Sequence, residues 1–252
     1  MSFRIKRLVA ATVSQTIGEI SCRLRPMTGR RVLMYHAVGE PVVGDRNNIY
    51  SISKQLLSQH FAEISEYTNT PVASREDTAE LSVSVTFDDG YKSFLTEVVP
   101  LAETFQIPIH VFISREFILQ GGPIYLSESD VTSLAAHQLV TIGVHGNQHR
   151  DLTLISDDEV YSELSVARDW LEQLTGHKAS TLSYPYGRVS QRVAQIAADV
   201  GFEQGFTSRY GVQSTATNHM LVPRIDVWSR DSVRTLHSKV RGAWSVLNGS
   251  HK

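Results

Sequence analysis

The sequence predicts an α/β fold: a parallel sheet with helices packed outside it. Three observations carry this. Short apolar runs and longer amphipathic stretches alternate six or seven times along the chain, which is the pattern of βα units. The 252 residues suffice for one large α/β domain or two small ones, and 41% of them are apolar, an ordinary supply for a core. The polar residues most able to do chemistry come just after the apolar runs, where parallel sheets and barrels bind their ligands.

Residues 1–30 place Ile5, Leu8, Val9, Val13, Ile17 and Ile20 at helical spacing. Basic residues such as Arg4, Lys6, Arg23 and Arg25 flank that stripe, against Glu19 alone. This basic amphipathic helix either closes one end of the fold or lies on an acidic membrane surface. Residues 31–252 form the domain proper. Val32, Leu33 and Met34 read as a buried strand ending in Tyr35-His36, and 41–50 as a polar loop. Residues 51–67 read as a helix with Leu56, Leu57, Phe61 and Ile64 on one stripe. In 82–87, Val83, Val85 and Phe87 share one face and Ser84 and Thr86 the other, so this is a strand running into Asp88-Asp89-Gly90. Phe94, Val98, Leu101, Ala102 and Phe105 mark a helix over 91–105, broken at Pro108, and 109–114 is the next strand. Ser127 opens a helix over 127–137 with Glu128 and Asp130 in its first turn, where the helix dipole favours acids. A strand at 139–145 precedes a helix at 156–175, opened by Ser156 and Glu159 in capping-box form and ended by Gly176. TLSYPYG (181–187) reads as strand and turn, 190–200 as a helix closed by Gly201, QGFTS (204–208) and LVPRIDV (221–227) as strands, and 232–241 as the last helix.

A net charge of −2 offers nothing to a polyanion, so nucleic acid is not an expected partner. The single cysteine, Cys22, can form neither an internal disulfide nor a thiolate zinc cluster. The apolar run LVAATV after Lys6-Arg7 is short for a secretory signal, and no stretch approaches the roughly 20 apolar residues of a membrane span. The expected location is the cytoplasm, with the inner membrane face open to the N-terminal helix.

Asp88-Asp89-Gly90 has two readings. Asp-Gly is common in solvated turns, yet two adjacent acids also suit a site. His145 and His149, in GVHGNQHRDLT, are ambiguous in the same way, because His-x3-His alone is a weak signal. A helix or a tight loop can bring both imidazoles to one side. Two imidazoles and one carboxylate make an open metal site, which leaves the neighbouring aspartate free to take a proton. Tyr184-Pro185-Tyr186-Gly187 is either a proline turn with packed aromatics or a sugar-stacking wall whose N–H groups face an oxyanion. His36, Asp88-Asp89, His145 and this turn each end a different predicted strand, so the signals weigh more together than apart.

With TFDDG, His-x3-His and YPYG in this order on a βα-repeat chain, the sequence resembles the polysaccharide deacetylases, the NodB-homology group of carbohydrate esterase family four, over about residues 31 to 240. The resemblance implies a distorted (β/α)7 barrel. It implies a metal-dependent hydrolase that removes acetyl groups from N-acetylhexosamines of chitin, peptidoglycan or exopolysaccharide, or O-acetyl groups from xylan, so an acetylated carbohydrate is the expected partner. By motif match it makes Asp89, His145 and His149 ligands of a divalent metal, zinc first, with cobalt, nickel, manganese and iron(II) as alternatives. Asp88 becomes the general base, and the backbone N–H of Tyr186 faces the oxyanion.

Some motifs depart from the family pattern. Its third motif is commonly Arg-x-Pro-Tyr, and Ser183 stands where that arginine would be, as in the exopolysaccharide-deacetylase subgroup. The arginine that orients the base is therefore expected to be missing. For the general acid, the late candidate is His237, in a predicted helix, but RVLMYHAV resembles the first strand of a permuted subgroup and makes His36 the expected acid. Asp226, in PRIDVW, matches the fourth motif and is expected to orient His36 or to pair with Arg224, while Trp228 is expected to pack. His60, His110, His137, His177, His219 and His251 have no motif around them and receive no role. Two further readings stand beside this one: a non-catalytic glycan-binding relative that keeps the barrel, and an iron oxygenase with two histidines and one carboxylate.

Overall fold

The computed structural model describes residues 28–42, 44–73 and 80–242. Residues 1–27 of the expected N-terminal helix lie outside them, and Gly29 and Arg30, expected at its end, belong instead to the first strand. In chain order the elements are β1 (Gly29–Tyr35), β2 (Ala37–Val38), β3 (Ser51–Ile52), α1 (Lys54–Ile64), β4 (Thr68–Asn69) and β5 (Leu81–Phe87). A π-helical turn, Phe94–Val98, runs into α2 (Val99–Phe105), followed by β6 (Ile109–Ile113), α3 (Arg115–Gln120), α4 (Glu128–Ala135) and β7 (Val140–Val144). The chain continues with α5 (Asp157–Thr175), β8 (Thr181–Ser183), α6 (Gln191–Val200), β9 (Gln204–Phe206), β10 (Ile225–Asp226) and α7 (Val233–Val240). Among the described residues no helix is long and apolar enough to cross a membrane.

The helices begin where side chains can cap them. Ser53, Ser127, Ser156, Ser190 and Ser232 each accept a first-turn backbone N–H, and at Ser127 and Ser156 the capping box with Asp130 and Glu159 is complete. The helix expected over 91–105 starts instead as the π-turn, with Pro100 in the first turn of α2. LVPRIDV shortens to β10, because only Ile225 and Asp226 pair with β1 over more than a single bridge.

Seven strands lie side by side in the order β10-β1-β5-β6-β7-β8-β9, all parallel, with β4 on β5. The stretch from 222 to 226 closes the curl, since Val222 bridges Phe206 on one side and Ile225 pairs with Leu33 on the other. Strand alternation then sorts the side chains. Leu33, Tyr35, Val83, Val85 and Phe87 face the helices and form the main core with α1 and its successors. Val32, Phe112 and Phe206, from strands that are not all neighbours, form one cluster with Val222, so they meet inside the ring. Ser84 and Thr86 also face inward, fully buried, and their hydroxyls donate to the carbonyls of Thr70 and Leu33. Two residues beyond Thr86, the same face carries Asp88.

Candidate active site

Asp88 extends β5 by one rung, its N–H donating to Tyr35 O at 3.0 Å. The chain then turns sharply: Asp89 has φ 73° and Gly90 φ 76°. A Cβ at Gly90 would lie 3.0 Å from Ile113 Cγ2 and 3.1 Å from Ile118 Cδ1, so the turn requires glycine there. Asp-Asp-Gly is thus both a turn and a cluster of buried carboxylates, with Asp88 only 3% exposed.

Asp88 sits in a fork. Arg224, 1% exposed, donates from Nη1 to Asp88 Oδ1 at 2.8 Å and from Nη2 to Oδ2 at 2.7 Å. Ser183 Oγ donates to the same Oδ2 at 3.1 Å and accepts from Arg224 Nη2 at 2.8 Å. Burial alone would raise the Asp88 carboxyl, but the charges of Arg224 and His145 outweigh it and hold the group well below the usual carboxylate range. This corrects the expectation that the orienting arginine is missing. It stands just before β10 rather than in the third motif, and Arg224 pairs with Asp88, not with Asp226. The signal was present in the sequence: Arg224 and Asp226 stand two apart in the extended run LVPRIDV, so the alternation puts them on one face. An arginine is long enough to span the roughly 10 Å across β1 to β5.

His145 leaves β7 with its N–H on Ile113 O. Its Nδ1 lies 2.7 Å from Ser183 O. A carbonyl only accepts, so Nδ1 carries a proton and Nε2 is the ring atom turned towards Asp89 and His149. Residues 145–149 form a loop, not a helix. Gly146 has φ 82° and His149 φ 54°, and the buried carboxylate of Glu163 on α5 accepts the Gln148 N–H. Motif reading missed this anchor, because Glu163 is a single acid in a helix of many. The loop folds His149 back so that its Nε2 lies 3.2 Å from His145 Nε2. Both are 3.4 Å from Asp89 Oδ1. Burial, then the neighbouring His145 charge, lowers His149 to about 4, so its imidazole is neutral.

These three atoms fit a metal ion. Ligands held at 2.0–2.1 Å in a tetrahedron stand about 3.3 Å from one another, and the three separations bracket that value. Asp89, His145 and His149 are the group among the described residues that can hold an ion in this way.

The site opens into a cleft of about 460 Å³, lined by Asp88 and Asp89, His36, Tyr50, Tyr186 and Asp226. Tyr186 has φ 59°, is 60% exposed, and its ring centroid lies 4.7 Å from that of His149. Asp89, His149 and Tyr186 are three of the five non-glycine residues with left-handed backbone among those described, a strain of about 1–3 kcal/mol each that persists only where packing dictates it. On the opposite side, His36 packs its ring 4.5 Å from that of Tyr50. His36 Nδ1 and Asp226 Oδ1 are both buried with no hydrogen-bond partner. Burial raises the Asp226 carboxyl, and the nearby His36 charge opposes the rise.

His237 is elsewhere, on α7, with Nδ1 2.7 Å from Glu63 Oε1. Trp228 is half-exposed and has the Lys239 ammonium 4.8 Å from its ring centroid. His60 and His110 are buried in hydrogen bonds to Tyr35 and Thr181.

The sequence profile of the polysaccharide deacetylases matches residues 75–205, just over half of the chain. YxkH of Bacillus subtilis (strain 168), which carries a provisional polysaccharide deacetylase name, is 22% identical over 205 residues, covering 78% of this chain and 70% of that protein. The peptidoglycan-N-acetylglucosamine deacetylase PgdA of Listeria monocytogenes serotype 1/2a is 27% identical over 114 residues, 45% of this chain and 23% of that one. The structure of the Streptococcus pyogenes deacetylase PplD in complex with acetate superposes with a TM-score of 0.75 at 21% identity, covering 86% of this chain and 99% of that one. That likeness bears on the fold, and it matches the distorted barrel of parallel strands described above. From the profile match, the chain belongs to the polysaccharide deacetylase family.

Proposed function

We propose that this protein is a metal-dependent hydrolase that removes acetyl groups from N-acetylated sugars of a polysaccharide or glycan precursor. The observation that carries the reading is the convergence of Asp89 Oδ1, His145 Nε2 and His149 Nε2 at 3.2–3.4 Å beside the arginine-held carboxylate of Asp88. Asp89, His145 and His149 would hold a divalent ion, which would supply Lewis acidity and a water of lowered pKa. A site of two imidazoles and one carboxylate with an open side suits zinc.

The chain's own residues do the rest. Asp88, kept ionised by Arg224, takes the proton of the attacking water. Tyr186, thrown into the cleft by its left-handed backbone, presents its N–H to the developing oxyanion and its ring to the sugar. His36, on the far wall, gives a proton to the leaving amine, with Asp226 beside it as the group that orients the imidazole. Ser183 contacts both halves of the site, its Oγ on Asp88 and its carbonyl on His145. The name of PgdA supports an acetamido sugar as the substrate class.

The test is acetate release from a panel of acetylated glycans, with and without a chelator, for the wild type and Asp88→Asn. Chelation should abolish release, and the substitution should lower it by about 10²–10⁴-fold, the usual contribution of a general base. Release that survives both treatments refutes the mechanism.

A further inference from the structure

The helix-facing side of the His36–Asp226 wall carries a buried polar chain. Lys239, on α7, is 3% exposed. Its Nζ donates to Asp231 Oδ2 at 2.5 Å and to the backbone carbonyl of Asp226 at 2.7 Å. Asp231 also accepts the Trp228 N–H on Oδ2. Its carbonyl lies 2.7 Å from His60 Nε2, and His60 Nδ1 lies 3.2 Å from Tyr35 Oη. The proton directions are set: the carbonyl only accepts, so His60 donates from Nε2, and the Tyr35 hydroxyl donates to Nδ1. Burial lowers His60, in keeping with a neutral ring.

The chain ends on both sides of the wall. Tyr35 is the residue before His36, and Asp226 carries the orphaned carboxylate. The two strands are tied in register as well, Met34 opposite Asp226, with the Val227 N–H on Met34 O. A lysine that only filled the core would have no reason to bring a buried ammonium here. This one reaches a backbone carbonyl of the cleft wall itself.

We propose that Lys239 is a positioning residue for proton delivery. Through Asp231 and the Asp226 carbonyl it holds Asp226 and His36 at the distance at which they serve the leaving group. This rests on the deacetylase reading above, and it assigns Lys239 no contact with substrate.

A general acid matters in proportion to the basicity of the leaving group. An amine needs the proton, and a nitrophenolate does not. The test therefore compares kcat on an N-acetyl-glucosamine oligomer with kcat on 4-nitrophenyl acetate. Lys239→Met leaves Asp231 buried and unpaired, so the informative protein is the double variant Lys239→Met/Asp231→Asn, which removes both charges together. Its zinc content is measured in parallel and should equal that of the wild type. We expect the double variant to lose at least tenfold on the amide and less than threefold on the ester. An amide loss no larger than the ester loss, or no loss at all, overturns the role of Lys239. A wild type that releases no acetate from any acetamido sugar overturns the deacetylase reading instead.

Discussion

At the scale of single residues, Arg224 decides most. Its guanidinium is fully buried and forks onto one carboxylate, that of Asp88. Removing one partner of such a pair leaves the other stranded, which costs about 3–5 kcal/mol. Arg224→Met should therefore destabilise the protein by about that amount in urea unfolding, and Asp88→Asn on the same background should recover much of it. Independent, additive losses would mean the pair is not coupled. Arg224→Lys keeps the charge but not the two-pronged fork, so it should retain stability better than it retains kcat.

At the scale of elements, the ligand loop is the point of stress. His149 reaches the site because Gly146 and His149 both turn left-handed and Glu163 holds the Gln148 N–H from α5. A Cβ at Gly146 would sit 3.3 Å from Glu163 Oε1 and 3.3 Å from Pro185 Cγ, on a backbone that L-residues avoid. Gly146→Ala should cost about 1–2 kcal/mol. Glu163→Ala releases the loop from its helix, and zinc affinity, read by competition with a chromogenic chelator, should fall about 10–100-fold, as when other outer partners of metal ligands are removed. Unchanged affinity would show that the loop holds its shape without α5.

At the scale of the whole molecule, the polar interior of the ring ties stability to pH. His110 is 1% exposed, packed with its ring tilted 4.4 Å from that of Phe112, and lowered by burial to about 3. Its ordinary value is about 6.5, so the folded state favours the neutral ring. The linkage sign follows: the stability is complete above pH 6.5 and falls as pH drops from there towards 3, by about 1.4 kcal/mol per unit. Asp88 and Asp89 act lower, because their depressed values keep them ionised until pH falls below the ordinary carboxylate range. Between pH 7.5 and 5 the wild type should lose about 2 kcal/mol through His110. His110→Gln, which cannot take the proton, should lose correspondingly less in urea midpoints at the two pH values. Equal losses would place the acid sensitivity elsewhere.

The local pattern was legible in the chain before it folded. Alternating Val83, Val85 and Phe87 dictated a strand, Ser127 and Ser156 dictated helix starts, and the strand–helix alternation dictated a parallel sheet, because periodicity and capping are short-range physics. It also brought the motif-bearing residues to strand ends. Three things it left to the tertiary structure. Arg224 reaches Asp88 across an intervening strand and 136 positions of chain, a neighbourhood that only ring closure creates. Residues 145–149 bend as a loop because α5 supplies a carboxylate at Glu163. Lys239 meets the Asp226 carbonyl because α7 packs back over β10 and β1. Contacts between distant segments depend on how the sheet curls and which helix covers it, and no local signal encodes that distance.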